Sequence, residues 1–207
     1  MCSLSYSIEL APATAELPEQ LTDHELVEAV GKGDETAFEI LVNRYKGQIV
    51  NFIYQMLQDY DRAAELAQET FLKVYISARK YRAEHSFSTY IYRIASNLAI
   101  SELRYRRRRR WISLLNPFGN SEEEKPLDVP DKAPLQDEEL IDDERRRAVS
   151  RAIKSLPEKY RLTLVLRDVE GLSYDEIARI TGLSEGTVKS RINRARNLLR
   201  EKLQQYI

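Results

Sequence analysis

The sequence predicts an all-α protein: two small helical domains joined by a flexible acidic linker, the C-terminal one containing a helix-turn-helix. Three observations carry this. Apolar residues recur at three and four positions over long stretches. The seven glycines and seven prolines fall mostly between those stretches. No run alternates with the period of two that a strand would show. A chain of 207 residues, 43% hydrophobic and 31% charged, can bury one ordinary core or two small ones.

Thr22 and Glu25 fit a capping box, so the first helix starts at Thr22 and places Leu26, Val27 and Val30 on one face before Gly31. Asp34 caps a longer helix whose stripe is Phe38, Leu41, Val42, Tyr45, Ile49, Phe52, Ile53 and Met56. A third run from about Asp61 aligns Ala64, Ala67, Phe71, Val74 and Ala78. A fourth, from Ser88, runs through Ile91, Ile94, Ala95, Leu98 and Leu103 into five consecutive arginines, Arg106 to Arg110. Prolines 117, 126, 130 and 134 then lie among acidic residues, a composition that cannot bury enough apolar surface to order itself. Periodicity returns with Leu140, Ile141, Val149, Ala152, Ile153 and Leu156, halts at Pro157, and resumes with Leu162, Val165, Leu166 and Val169. The expected organisation is an N-terminal extension without order (1–21), a first domain (22–112), an acidic linker (113–137) and a second domain (138–207).

Several functions are excluded early. One cysteine, Cys2, cannot form an internal disulfide, and His24 and His85 are too far apart in sequence to suggest a metal site, so neither a metal nor another cofactor is expected. No glycine-rich phosphate loop or carboxylate cluster beside a basic site suggests an enzyme, and no small-molecule substrate is expected. No apolar run is long enough to span a membrane, and the N-terminus lacks a leader pattern, so the chain reads as soluble and cytoplasmic.

The formal net charge of −1 hides a segregation. Residues 1–78 carry net −8, residues 79–111 net +8, residues 112–144 net −9 and residues 145–207 net +8. Two positive surfaces joined by a negative strap suit a protein that grips a polyanion in two places.

Two constellations give that polyanion a chemistry. In residues 171–196, Ser173 and Glu176 form a capping box, Gly182 supplies a permissive turn and Ser184 caps a following helix, which is the pattern of a helix-turn-helix. Ile177, Ala178, Leu183, Val188 and Ile192 can form its small core. Glu185, Thr187, Lys189, Ser190, Arg191, Asn193, Arg194 and Arg196 face outward, and most can donate to phosphates and base edges in a major groove. In residues 77–110, Tyr81, Arg82, Phe87, Tyr90, Tyr92, Arg93, Asn97 and Arg104 interleave aromatic and basic groups, a mixture that holds single-stranded nucleic acid by stacking and backbone contact. Phe87 and Tyr90 share the spacing of Ile91 and Ile94 and are expected in the core; Tyr81 and Asn97 lie outside that stripe.

These residues resemble a known family. Gly33-Asp34, Ala37-Phe38 and Arg44-Tyr45, then Glu65 through Tyr75, Phe87 through Asn97, and Leu156-Pro157 through Arg196 are similar, in this order, to bacterial sigma factors of the extracytoplasmic-function (ECF) group in the sigma-70 family. The resemblance implies that core RNA polymerase and promoter DNA are partners and that an anti-sigma factor holds the chain inactive. Asp61, Glu65, Gln68, Glu69, Phe71 and Leu72 would dock on the coiled coil of the polymerase's largest subunit, and the polymerase flap is a further expected contact. Tyr81 and Asn97, with Ser77, Arg93 and Arg104 nearby, would hold a base flipped from the minus-10 element. Thr187, Lys189, Ser190, Arg191, Arg194 and Arg196 would read or clamp the minus-35 element. Tyr90 stands where many relatives carry tryptophan. The arginine run with Trp111, Ile112, Leu114, Leu115 and Phe118 is open to three readings: the end of the DNA-facing helix, a phosphate grip, or contact with an acidic membrane surface. A helix-turn-helix regulator that works without polymerase, with a sensing N-terminal domain, is the alternative function.

Overall fold

The computed structural model describes residues 21–82, 84–115 and 148–204. Among the described residues there is no strand, and no helix is long and apolar enough to cross a membrane. The N-terminal extension, most of the acidic segment, Leu140 and Ile141 lie outside the described residues.

Helix α1 (Asp23–Gly31) begins where its capping box places it: the Glu25 N–H donates to Thr22 Oγ1 at 3.4 Å, and the Thr22 N–H donates to Glu25 Oε2 at 2.8 Å. Two orphan donors of the first turn are thereby satisfied. Gly31 closes this helix against Ala78, whose carbonyl oxygen would lie 3.2 Å from an added Cβ, so a side chain there would require the neighbouring backbone to give by a few tenths of an ångström. Helix α2 (Glu35–Leu57) is capped by Asp34, which accepts from the Ala37 N–H at 3.1 Å. Gln58 then turns left-handed, and α3 (Tyr60–Ser77) starts at once with Asp59 accepting from the Arg62 N–H at 3.0 Å. A 3-10 turn over Ala78–Lys80 leads through a loop to α4 (Phe87–Leu115), 29 residues long. At a rise of 1.5 Å per residue this helix extends about 43 Å.

These four helices enclose Leu26, Leu41, Ile49, Phe52, Ile53, Met56, Phe87 and Ile91, all essentially without solvent contact. Phe52 meets Tyr92 edge-on at 5.4 Å and Phe87 meets Tyr45 at 5.1 Å, the geometry favoured by ring quadrupoles. The buried face of α3 is Ala63, Leu66, Ala67, Thr70, Phe71 and Val74. Ala64, expected on it, is half-buried: the arc is centred one residue earlier, and Thr70 enters it because its hydroxyl donates to the Leu66 carbonyl at 2.7 Å.

In the second domain, helix α5 (described over 148–154) reaches Pro157, which caps α6 (Glu158–Leu164). Helix α6 widens into a π turn over Val165–Val169, followed by α7 (Tyr174–Thr181) and α8 (Glu185–Leu203). The core is Leu156, Leu162, Val165, Leu166, Ile177, Ile180, Val188, Ile192 and Ala195. Two expected core residues are exposed. Val169 ends the wider turn and is rotated outward, and Val149 is turned away because Ser150 faces α2. The two cores are contiguous, since α7 rests on α4 and α6 meets α2.

Phe52→Ala empties a site with no room to collapse and is expected to lower unfolding stability by about 3–5 kcal/mol. Urea denaturation of the two proteins measures it, and a loss under about 1 kcal/mol would contradict the packing described.

Candidate nucleic-acid interface

The periodicity of α4 decides which of its residues can meet a ligand. One side carries Ile91, Tyr92, Ala95 and Ala99 into the core. The opposite side presents Arg93, Asn97, Ser101, Arg104 and Arg108 to solvent, spaced by three or four residues. Asn97 has no hydrogen-bond partner among the described residues, which leaves its amide free to donate and accept. Arg93 lies 6.0 Å from the centroid of the Tyr90 ring.

Tyr81, just after the 3-10 turn, borders the start of this face. Its ring meets Tyr90 edge-on at 5.0 Å and stacks on the His24 imidazole at 5.8 Å. Its hydroxyl is 2.9 Å from His24 Nδ1 and donates to the His85 carbonyl at 3.3 Å. A chain in which His24 Nδ1–H donates to the tyrosine, and the tyrosine donates onward, accounts for both contacts. Burial, with the Asp23 charge and Tyr90 nearby, pushes the phenol up to about 12, so it stays a neutral donor. The two histidines, distant in sequence, thus flank one tyrosine. Ser77 is not free: its hydroxyl donates to the Lys73 carbonyl and lies 2.5 Å from the Tyr90 hydroxyl. With the Ser77 proton on the Lys73 carbonyl, it is the Tyr90 hydroxyl that donates to Ser77 Oγ.

The arginine run is divided by the same periodicity. Arg106 falls on the inner side, where Nη2 donates to Asp59 at 2.7 Å and Nε to Glu102 at 2.8 Å. Arg62 donates to the other Glu102 oxygen at 2.9 Å, so two carboxylates and two guanidinium groups tie α3 to α4. Burial would raise the Asp59 and Glu102 carboxyl groups, but the hydrogen bonds from Arg62 and Arg106 outweigh it and hold both below the ordinary carboxylate range. Arg104, Arg107 and Arg108, with Ser101, instead line a shallow cleft on the outer side. Trp111 and Ile112 continue that side, 63% and 66% exposed.

The second basic surface is built by the turn between α7 and α8. Gly182 adopts φ 69°, a left-handed conformation that a Cβ would strain, and Ser184 then caps α8 by accepting from the Thr187 N–H. Val188, Ile192 and Ala195 face inward, leaving Lys189, Ser190, Asn193 and Arg194 exposed. Thr187 and Arg191 are half-buried, and the Thr187 hydroxyl is 2.9 Å from Ser184 Oγ. Arg196 is occupied: its guanidinium forks onto Asp168 at 2.5 and 3.0 Å, which raises its own affinity for the proton. Its outward spacing is as expected, but only the tertiary fold brings Asp168 beside it.

On α3, Asp61, Glu65, Gln68 and Leu72 are exposed, Leu72 by 56%. Glu65 pairs with Arg62 at 2.6 Å and Glu69 with Lys73 at 3.4 Å. Phe71, expected both in the core stripe and at the docking edge, is 7% exposed and packs in the core. Sequence reasoning missed Tyr75 and Ile76, which stand in solvent three and four residues beyond Leu72. Their spacing from Leu72 was the available signal: it makes a second apolar edge beside the core stripe.

With this geometry established, comparison with known proteins is decisive. The Sigma-70 region 2 family model matches residues 41–109, and the Sigma-70 region 4 model matches residues 146–199. The ECF RNA polymerase sigma-E factor of Escherichia coli K12 is 37% identical over 196 residues, covering 92% of this chain and 99% of the relative. The RNA polymerase sigma-H factor of Pseudomonas aeruginosa is also 37% identical, over 190 residues, covering 89% and 95%. The chain belongs to the ECF sigma factors of the sigma-70 family. Among solved structures, CnrH in complex with the cytosolic domain of CnrY shares the fold of this sigma factor with a TM-score of 0.64 at 21% identity, over 88% of this chain and 97% of that one. The sigma factor RpoE in complex with the anti-sigma factor NepR from Bartonella quintana does so at 0.61 and 23%, over 81% and 96%.

The Asp59–Arg106–Glu102–Arg62 cluster predicts a pH dependence. Carboxyl groups depressed in the folded state contribute stability that is present above their unfolded values near 4 and lost as pH falls through the folded ones. Glu102→Gln is expected to cost about 1–2 kcal/mol at pH 7 and less at pH 3, so its stability converges on that of the parent in acid. Denaturant titrations at both pH values test this; a constant difference would contradict it.

Proposed function

We propose that this ECF sigma factor lends RNA polymerase the ability to choose and melt a start site through two of its helices. On α4, Asn97 and Arg93 beside Tyr81 capture an unstacked minus-10 base, with Arg104 tracking the backbone. On α8, Lys189, Ser190, Arg191 and Arg194 read or clamp the minus-35 duplex, with Thr187 at the start of the helix. Arg196 steadies α8 through Asp168 and joins the DNA only by exchanging that partner. Asp61, Glu65, Gln68, Glu69 and Leu72 on α3 offer the polymerase coiled coil a mixed acidic and apolar edge, to which Tyr75 and Ile76 add area, and the second domain takes the flap.

The observation that carries this reading is the exposed amide of Asn97 on the same helix face as Arg93, whose guanidinium lies 6.0 Å from the Tyr90 ring that Tyr81 meets edge-on. Unpairing and unstacking cost a few kcal/mol per step, and a protein that binds only the extruded base lowers that cost. No covalent step is needed, so the protein acts without turnover of its own. The acidic segment between the domains, Glu122 to Asp128 above all, is suited by charge to the polymerase channel that later carries RNA. Because the sigma factor RpoE is found with an anti-sigma factor, we assign such a partner here as well, acting in the cytoplasm.

Run-off transcription from core polymerase on a promoter library, with and without this chain, tests the function. No promoter-dependent product would overturn it. Asn97→Ala is expected to weaken open-complex formation while polymerase binding stays intact, read by permanganate footprinting beside a pull-down. Arg194→Ala is expected to cost about 1–3 kcal/mol with relaxed choice at one minus-35 position. A uniform loss across sequences would make it a phosphate contact.

A further inference from the structure

The arginine run does not keep to the basic face of α4. Arg93, Asn97, Ser101, Arg104 and Arg108 lie on one side at spacings of three and four, which is what a strand lying along the helix can reach. Arg107 to Arg110 break that spacing. Successive residues of an α-helix turn by about 100°, so four in a row surround the axis. Arg107, Arg108, Arg109, Arg110, Trp111 and Ile112 are all exposed, and no described part of the protein therefore covers any side of α4 along this stretch.

Among the described residues the last ion pairs of α4 are those of Arg106 with Asp59 and Glu102, and none of the four arginines that follow meets a carboxylate. What projects beyond them has two zones. The first is a collar of guanidinium groups one helical turn tall, about 5.4 Å. The second is an apolar tip that begins with Trp111 and Ile112 and continues in sequence with Leu114 and Leu115, where the helix ends.

A nucleic acid suits the collar better than the tip. One base could stack on Trp111, but a phosphate and sugar surface offers Ile112 and the leucines after it little apolar area. An acidic bilayer meets both zones. Lipid phosphates accept from guanidinium groups on every side of the axis, and the boundary between headgroups and acyl chains is where an indole is most favoured. No described helix is long and apolar enough to cross a membrane, so the contact is interfacial, at the depth of about 5–10 Å that such segments reach. The cleft lined by Ser101, Arg104, Arg107 and Arg108 opens at the edge of the collar, where one headgroup phosphate would face three guanidinium groups.

We propose that the projecting end of α4 docks this protein on the surface of an anionic bilayer, with Arg107 to Arg110 at the level of the lipid phosphates and Trp111 and Ile112 in the interface beneath them. Neither zone suffices alone: the charges are screened by salt, and the tip is too small to hold without them. The docking goes beyond the promoter reading above and does not rest on it.

The test sediments the full chain with vesicles of mixed phosphatidylglycerol and phosphatidylcholine, and with phosphatidylcholine alone, at physiological ionic strength. Trp111 is the single tryptophan of the sequence, so its emission reports the tip directly. The chain is expected to bind the anionic vesicles with a blue shift of that emission and to leave the neutral ones in solution. Trp111→Ser with Ile112→Ser, and separately Arg109→Gln with Arg110→Gln, are each expected to lower the bound fraction at limiting lipid by about tenfold. Run-off transcription from a lipid-free template is expected to stay at the parent level in both variants, which also shows that they are folded. No binding to anionic vesicles, binding without a blue shift, or equal binding by the Trp111→Ser, Ile112→Ser variant overturns the docking. A loss of transcription by that folded variant, matched by weaker binding to promoter duplex, assigns the tip to DNA and overturns it as well. Both of these results leave the sigma-factor function standing, whereas a parent chain that binds vesicles but supports no transcription overturns the function and not the docking.

Discussion

The exposed basic face of the first domain depends on α4 being one unbroken helix with one face buried. The burial of Ile91, Tyr92, Ala95 and Ala99 fixes the helix phase, and the phase alone sends Arg93, Asn97 and Arg104 to solvent. The Arg106 ion pairs to Asp59 and Glu102 hold that phase beyond the apolar core, where the five-arginine run would otherwise repel itself. An arginine run therefore has two functions in one stretch of sequence: one member anchors the helix, and Arg104, Arg107 and Arg108 are left as a cationic edge.

The second basic surface follows a different logic. Helix α7 is short, and its junction with α8 is set by caps and by one left-handed glycine. Such a unit holds its shape while its surroundings change.

Much of this was legible in the residues. Capping signals at Thr22, Asp34, Ser173 and Ser184 set where helices begin because a cap is a local hydrogen bond between neighbours in sequence. The exposure of Asn97, Lys189 and Arg194 followed from period alone. What failed did so for long-range reasons. Phe71 could be assigned to a docking edge or to the core with equal ease, because α3 carries apolar residues on both, and only packing against α2 and α4 chooses. Arg196 looked free until Asp168, 28 residues earlier, arrived beside it. His24 and His85, read as unrelated, meet at Tyr81 because α1 closes on the 3-10 turn.

Residue order was enough to establish the helices, their caps, the segregation of charge and the family, since each rests on interactions within a few positions or on a pattern summed along the chain. Tertiary structure alone decided which cations are spent on carboxylates, which aromatic ring is withdrawn from the surface, and that the two domains pack together. Those outcomes turn on pairs distant in sequence, such as Arg106 with Asp59 and Tyr92 with Glu170. Electrostatic and hydrogen-bond partners act over a few ångströms, and only the folded chain brings such residues that close.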